Sequence, residues 1–229
     1  MHIREKRCRT AANGGMALVR RILCFGDSNT YGYIPTGGRY DAHTRWPMHM
    51  AEVLGEGYEV VEEGFNGRTL VYDDPVEGGF KSGLAYLPPC LMSHNPLDAV
   101  VIMLGANDAK RRFGLTPATI GQCMMQLVKT AKLYAMDAHG NPSRIIITSP
   151  PPFLDNLMET RHGEHFGPQA IEVTRGLAAE YLRISKLLRC DFFDAGPYGE
   201  VSRLDAVHMT ANGHIRLAEA MAEKIKSLF

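Results

Sequence analysis

A serine stands directly after the first apolar run of the chain, in the segment Gly26-Asp27-Ser28-Asn29-Thr30. Glycine allows a sharp turn there, so the serine would face solvent near the start of a helix, where backbone N–H groups favour developing negative charge. This placement suits a nucleophile. The alternative is that Asp27 and Ser28 only cap a helix.

Two further polar segments could donate hydrogen bonds to an oxyanion. Gly105-Ala106-Asn107-Asp108 follows another apolar run, and Asn107 could donate its side-chain amide. Gly64-Phe65-Asn66-Gly67-Arg68-Thr69 follows a third run, and Gly67 could bring a backbone N–H close to a substrate. For each segment taken alone, a simple turn is the commoner explanation.

An acid and a histidine lie close together near the end of the sequence, in Asp205-Ala206-Val207-His208. In a turn this spacing brings both side chains to one side, so Asp205 could hold Nδ1 of His208 and leave Nε2 free as a base. A surface ion pair is the alternative. Because a serine, two candidate oxyanion donors and this pair occur in one chain, the set favours a serine hydrolase more than any member does alone.

Short Val/Ile-rich runs alternate with segments of helical periodicity, and these elements must position the polar segments. Continuous apolar runs of this length are typical of strands buried on both faces of a parallel sheet. The alternation predicts an α/β fold, a three-layer α/β/α sandwich with a mostly parallel five-stranded sheet and ligands beyond the carboxyl ends of its strands. The predicted strands are 18–25, 58–61, 99–104, 145–148 and 191–193, and the predicted helices are 46–54, 116–136, 168–188 and 210–228.

The organisation of the chain favours one domain. Residues 1–16 are polar and basic, and they predict an N-terminal extension before a single domain at 17–229. Two Gly- and Pro-rich segments, 70–96 and 150–167, predict long loops of the kind that form lids, pocket walls or subunit contacts. The first of these segments predicts a homo-oligomer, because it carries more apolar surface than an isolated loop leaves in water. Its apolar residues are Phe80, Leu84, Tyr86, Leu87, Leu91 and Met92.

Composition excludes several classes of partner. Lys and Arg total 25 and Asp and Glu total 25, so there is no electrostatic argument for a nucleic-acid or anionic-membrane partner, and a small uncharged ester is the expected ligand. The 5 cysteines form no CxxC pair, which is typical of reduced thiols. No apolar run approaches the roughly 20 residues that span a bilayer, and no signal-peptide pattern is present. We therefore predict a cytoplasmic protein.

Cofactor motifs are missing from the sequence. His162, Glu164 and His165 lie close together, but they match neither HExxH nor a Cys-rich zinc spacing, so we interpret them as loop residues. The sequence contains no GxxxxGK[ST] loop and no GxGxxG fingerprint. We therefore predict an enzyme without a metal or other cofactor.

The order and spacing of the segments around Ser28, Gly67, Asn107 and His208 resemble those of the SGNH (GDSL-type) hydrolase superfamily across nearly all of residues 21–229. Shorter matches resemble its bacterial arylesterase/acyltransferase branch. They are Arg21-Ile22-Leu23-Cys24-Phe25-Gly26-Asp27-Ser28, Glu62-Glu63-Gly64, Arg68-Thr69, Asp73-Asp74-Pro75, Tyr86-Leu87-Pro88 and Ile102-Met103-Leu104-Gly105. The resemblance implies a flavodoxin-like sandwich, an oligomeric assembly and esterase activity on short acyl groups.

The resemblance also implies a role for each matched residue. Ser28 would be the nucleophile, and its own N–H, the N–H of Gly67 and the amide of Asn107 would form the oxyanion hole. His208 would be the general base and Asp205 would orient it. Asn29 stands where the family name has Leu.

The leading hypothesis is a serine esterase that hydrolyses short acetyl or aryl esters through an acyl-enzyme, with acyl transfer to alcohols as an extension. A carbohydrate acetylesterase is the alternative within the same class. A catalytically silent binding domain of the same fold is the alternative from another class. Tyr31, Trp46 and Phe153 are candidates for lining an acyl or aryl pocket, although a single Trp at helical spacing is more often a core residue.

Overall fold

The structure, a computed structural model, describes residues 19–229, so the predicted extension at 1–16 lies outside the described residues. The strands are β1 (Arg20–Gly26), β2 (Tyr58–Gly64), β3 (Ala99–Met103), β4 (Arg144–Ser149) and β5 (Asp191–Asp194). They form one 5-stranded sheet with the order β2-β1-β3-β4-β5, in which every neighbouring pair is parallel. The α/β fold predicted from the sequence is confirmed.

Helices cover both faces of the sheet. They are α1 (Ser28–Tyr31), α2 (Trp46–Leu54), α3 (Gly83–His94), α4 (Pro117–Tyr134), α5 (Gly163–Phe166), α6 (Gln169–Leu188) and α7 (Ala211–Lys226). On one face α2 packs against α7, and on the other α4 packs against both α3 and α6. None of the helices within residues 19–229 combines the length and the apolar composition that crossing a bilayer needs.

The central strands are buried on both faces. In β1, Leu23 and Phe25 join the core beneath α3, α4 and α6, whereas Ile22 and Cys24 join the core beneath α2 and α7. All residues of β3 are buried. Because side chains alternate along a strand, a strand covered on both faces becomes a continuous apolar run.

Helix α3 corrects the prediction of one long loop at 70–96. Pro88 and Pro89 lie inside this helix, and proline is disfavoured there because it removes a backbone donor. Two features offset this cost. The side chain of Ser82 caps the helix by accepting a hydrogen bond from the N–H of Ala85, and Leu87 and Leu91 are fully buried.

The ends of three strands lie level with one another. Gly26 of β1 is in register with Gly64 of β2 on one side and with Met103 of β3 on the other. The segments that follow these strands therefore meet at one edge of the sheet. The strand order also reverses at β1, and this is the place where ligands bind in open parallel sheets.

Candidate active site

Three side chains form a hydrogen-bonded chain at this edge. Nε2 of His208 lies 2.9 Å from Oγ of Ser28, and Nδ1 of the same ring lies 2.7 Å from Oδ2 of Asp205. None of the three residues is more than 8% exposed. In this geometry the imidazole can accept the serine proton while the carboxylate fixes its tautomer.

Asp205 is held in place by its own backbone turn. Its Oδ1 accepts hydrogen bonds from the N–H groups of Val207 and His208, at 3.1 and 3.0 Å. Ala206 completes the turn with a φ of 61°, in the left-handed region. Burial acts to raise the pKa of Asp205, but hydrogen bonds from the His208 ring and these N–H groups outweigh it, so the net shift is downward. The carboxyl therefore stays ionised beside the imidazole.

Ser28 is the first residue of α1. The carboxylate of Asp27 caps this helix by accepting a 3.0 Å hydrogen bond from the N–H of Asn29. The capping interpretation therefore holds for Asp27, whereas the Ser28 hydroxyl faces His208. Glycine is required at position 26, because a Cβ there would lie 2.0 Å from Oγ1 of Thr30.

The two predicted oxyanion donors line the same cavity as Ser28. Gly67 has a φ of 79°, which glycine adopts at low cost, and its N–H has no hydrogen-bond partner within residues 19–229. Nδ2 of Asn107 donates to the Arg68 carbonyl at 3.1 Å and lies 3.5 Å from Oδ2 of Asp27. Asn107 therefore also holds the segment that carries Gly67.

We expect Asn107→Ala to lower kcat by about 10²–10³-fold with little change in KM, because one oxyanion donor is worth about that much. Steady-state kinetics with an aryl acetate would measure this change. A rise in KM at constant kcat would instead make Asn107 a residue that binds the ground state.

Two buried carboxyl groups, those of Asp27 and Asp108, stand next to Ser28 and Asn107 in the sequence. Burial raises the pKa of Asp27 to about 6 and that of Asp108 to about 7. Asp108 accepts a hydrogen bond from the N–H of Leu70 at 3.0 Å, so it anchors the far end of the segment that holds Gly67. Both groups gain protons in mildly acidic solution.

Asn29 ties the nucleophile to the segment that carries the base. Its Oδ1 accepts a 3.0 Å hydrogen bond from the N–H of Met209, and its Nδ2 donates to the carbonyl of Val207 at 3.4 Å. These contacts lie on either side of His208 in the chain. Asn29 is only 2% exposed, and its two hydrogen bonds hold the segment that carries Ser28 against the segment that carries His208. Its sequence position predicts no such role, although the departure from leucine is a signal.

We expect Asn29→Leu to lower kcat about 10-fold while KM changes little. The leucine would leave the N–H of Met209 buried without a partner and would let His208 shift relative to Ser28. Steady-state kinetics would measure the change, and Asn212→Leu, at an exposed asparagine bonded to Glu200, is the matched control. Equal kcat in the parent and Asn29→Leu would show that the hydrogen bonds of Asn29 do not position His208.

A cavity of about 280 Å³ opens onto Ser28 and His208. Its walls also include Tyr33, Lys110, Arg161, His162 and His165. His162 and His165, interpreted above as loop residues, therefore line the catalytic cavity. Segment 150–167 contains no catalytic motif that would identify these two histidines. The only signal for them in the sequence is the prediction that this segment forms a pocket wall.

The three predicted pocket residues do not line this cavity, which corrects the prediction. Trp46 is 1% exposed and packs in the core beneath α2 and α7. Phe153, also 1% exposed, packs edge-to-face on Phe166, which does line the cavity. Tyr31 lies beneath the guanidinium of Arg39. Sequence position located these aromatics near the site but did not reveal which way they point.

His162 and Tyr33 both contact the catalytic imidazole. The His162 ring lies 5.6 Å from the His208 ring, and Tyr33 lies 4.6 Å from it, between ring centroids. Burial and the neighbouring His208 lower the pKa of His162 to about 4, so its ring is neutral near pH 7.

A network of charges supports one wall of the cavity. Nζ of Lys110 lies 3.0 Å from Asp74 and 2.7 Å from Glu77, and Arg112 contacts the same two carboxylates. Asp74 is fully buried. Although burial acts to raise its pKa, the hydrogen bonds and charges of Arg112 and Lys110 hold that pKa below its usual value.

Among the residues that the structure describes, two groups of side chains bring possible metal ligands within 4.8 Å of one another. They are His162 with Asp205 and His208, and Glu63 with Cys90 and His94. The first group contains the hydrogen-bonded Asp205–His208 pair, so we assign it to proton transfer. In the second group Nε2 of His94 already pairs with Glu63 at 2.9 Å.

The sequence profile of the GDSL-like lipase/acylhydrolase family matches residues 24–216. The chain belongs to this family. The SGNH hydrolase resemblance is thereby confirmed, and this GDSL hydrolase is a carboxylic ester hydrolase. No curated protein matches the chain.

Solved structures agree with this assignment. A carbohydrate acetylesterase from Sinorhizobium meliloti is 36% identical, with a TM-score of 0.85 and coverage of 92% of this chain and 100% of its own. The aryl esterase of M. smegmatis is 35% identical, with a TM-score of 0.85 and coverage of 92% and 100%. A carbohydrate acetylesterase family member from Sinorhizobium meliloti is 31% identical, with a TM-score of 0.85 and coverage of 92% and 99%. The GDSL hydrolase therefore resembles both kinds of esterase over almost its whole length.

Proposed function

We propose that this GDSL hydrolase is a serine esterase that cleaves short acyl esters through an acyl-enzyme. The observation that carries the proposal is the chain of hydrogen bonds from Asp205 through His208 to Ser28, which opens into a cavity of only about 280 Å³. A cavity of this size suits a small acyl group. No cofactor enters the reaction.

The reaction proceeds in two acyl transfers, first from the ester to Ser28 and then from Ser28 to water. Nε2 of His208 takes the proton of Ser28 while Oγ attacks the ester carbonyl carbon, and the N–H groups of Ser28 and Gly67 with the Asn107 amide stabilise the oxyanion. His208 then gives its proton to the departing alcohol oxygen as the ester C–O bond breaks. Water repeats these steps on the acyl-enzyme and releases the acid.

Acetyl esters are the proposed substrates, with aryl esters and acetylated carbohydrates as the two candidate classes. Similarity to the aryl esterase and to the carbohydrate acetylesterases supports each class about equally. The polar cavity wall around Tyr33, Asn66 and Arg161 favours an alcohol portion with hydrogen-bonding groups. Comparing the turnover of acetylated sugars with that of aryl acetates would identify the class of alcohol. A second panel that varies the acyl length at a fixed leaving group would identify the preferred acyl group.

Hydrolysis is proposed as the main reaction, with acyl transfer to alcohols as a side reaction. Transfer competes with water at about 55 M only where the site excludes water or binds the alcohol. Because Trp46 lies in the core, it supplies no apolar channel for an alcohol. Formation of a new ester when a primary alcohol is added to an activated acetyl donor would measure the transfer.

Fluorophosphonate labelling tests the proposed mechanism directly. An activated serine attacks the phosphorus and becomes covalently modified, so mass spectrometry should find one adduct on Ser28. The outcome that contradicts the proposal is an unlabelled protein with no turnover of any ester in the panel. That result would revive the catalytically silent binding domain.

We also propose that the chain forms a homo-oligomer through exposed apolar residues around α3. Phe80 is 90% exposed and Met92 is 63% exposed, whereas Leu87 and Leu91 are buried in the core. A second copy would cover this surface. Light scattering should give a multiple of the 25.3 kDa mass of the chain, and Phe80→Ser should lower the measured mass. Leu204→Ser is the control, at an exposed apolar residue of another segment.

A cytoplasmic location remains our proposal. Cys24, Cys90, Cys123 and Cys190 are free thiols, while Cys8 lies outside the described residues. Unpaired thiols are typical of reducing compartments. Fractionation of cells with an antibody against the chain would test the location.

A further inference from the structure

One positively charged side chain of the catalytic cavity, that of Arg161, has no acidic partner within residues 19–229. Lys110 is neutralised there by Asp74 and Glu77. Arg161 lines the same cavity, and its hydrogen bonds go to groups without charge. A positive charge therefore remains available to a ligand at the cavity wall.

Neutral groups hold the Arg161 guanidinium in position. Nη2 donates to the carbonyl of Pro35 at 3.0 Å and lies 3.4 Å from the hydroxyl of Tyr33, and Nε lies 3.3 Å from Nε2 of His162. Nη1 has no hydrogen-bond partner among the described residues. The guanidinium is thus oriented by the protein while one of its nitrogens is left to bind another group.

The contacts of Arg161 locate it on one side of the reaction centre. Its neighbours Tyr33 and His162 are the two rings that contact His208. Two of the three oxyanion donors, the N–H of Gly67 and the amide of Asn107, belong to the segments that follow β2 and β3. Because His208 gives its proton to the departing alcohol, the alcohol portion of an ester must lie on the His208 side. Arg161 therefore faces the alcohol portion rather than the carbonyl oxygen.

We propose that Arg161 binds an anionic group on the alcohol portion, so that the preferred substrates are short acyl esters of alcohols that carry a carboxylate or a phosphate. Guanidinium forms strong charge-assisted hydrogen bonds with both groups. The proposal rests on the esterase function above. It departs from the expectation of an uncharged ester, because a net charge of zero averages over the whole chain and says little about one cavity.

The test compares the hydrolysis of para-acetoxybenzoate with that of its neutral methyl ester. The measured quantity is kcat/KM for the anionic ester divided by kcat/KM for the neutral ester. An effect of a substitution that is common to both esters cancels in this ratio. We expect Arg161→Gln to lower the ratio about 10-fold, chiefly through KM for the anionic ester. Arg161→Lys keeps the charge but loses the planar fork, so it should lower the ratio less. A third ester, para-acetoxyphenyl phosphate, tells carboxylate preference from phosphate preference.

Arg216→Gln is the matched control. Arg216 is also exposed, and its Nη2 also donates to a proline carbonyl, that of Pro197, at 3.0 Å, but it does not line the cavity. Its loss should leave the ratio unchanged, and high salt should lower the ratio in the parent but not in Arg161→Gln. A ratio that is the same in Arg161→Gln and the parent, with both esters hydrolysed, overturns the proposal and leaves the esterase intact. Failure to hydrolyse either ester, together with absence of fluorophosphonate labelling, overturns both.

Discussion

Ser28→Ala should reduce ester turnover by at least about 10⁴-fold while the protein stays folded. The covalent step needs an oxygen nucleophile, and an alanine in this position offers none. The hydroxyl contributes one hydrogen bond, to His208, and little packing, so we expect the free energy of unfolding to change by less than about 1 kcal/mol. Steady-state kinetics and thermal melting would measure the two quantities.

The control for Ser28→Ala is Ser93→Ala, at an exposed serine whose hydroxyl donates to the Pro89 carbonyl. This variant should keep parental kinetics. The Ser28 variant should also lose fluorophosphonate labelling, which separates loss of the nucleophile from loss of the fold. Residual turnover within roughly tenfold of the parent would assign the nucleophile to another residue.

Asp205→Asn should lower kcat by about 10³–10⁴-fold at nearly unchanged geometry. An amide cannot offset the positive charge that develops on His208, and its N–H₂ group favours the wrong tautomer of the ring. Because hydrogen bonds hold the pKa of Asp205 below its usual value, this stabilising charge is present in the parent throughout neutral and mildly acidic solution. Measurement of kcat across that range would show the loss.

Asp155→Asn is the control for this substitution, because Asp155 is an exposed carboxylate paired with Arg175. It removes the same charge at a carboxylate that pairs with Arg175 and does not line the cavity, so it should leave kcat unchanged. An Asp205→Asn enzyme with parental kcat would mean that another group orients the imidazole. His162 is the neighbour to examine in that case, since its Nε2 lies 3.9 Å from the same carboxylate.

The parts of the site that follow strand ends could be predicted from sequence, because the fold fixes where a strand ends. Ser28 follows β1 and Asn107 follows β3, and the structure brings both to one edge of the sheet. Asp205 and His208 share one turn, so their mutual contact is local in sequence. Spacing therefore predicted which of these residues lie close together.

The parts that depend on side-chain direction could not be predicted. Helical spacing favoured a core position for Trp46 but could not exclude the pocket, and the structure places its indole in the core. No pattern in the sequence shows that His162 turns toward His208. Helix α3 was missed for a different reason, since Pro88 and Pro89 contradict helical propensity and burial of Leu87 and Leu91 overrides it.

The hydrogen bond between Ser28 and His208 joins residues that are 180 positions apart in the chain. Contacts of such long range form slowly, because most of the loop between them must be ordered before the contact contributes any free energy. The reactive serine therefore gains its base only after the sheet and the segment before α7 have folded. A nascent or partly unfolded chain carries an ordinary hydroxyl at position 28, so esterase activity is a measure of complete folding.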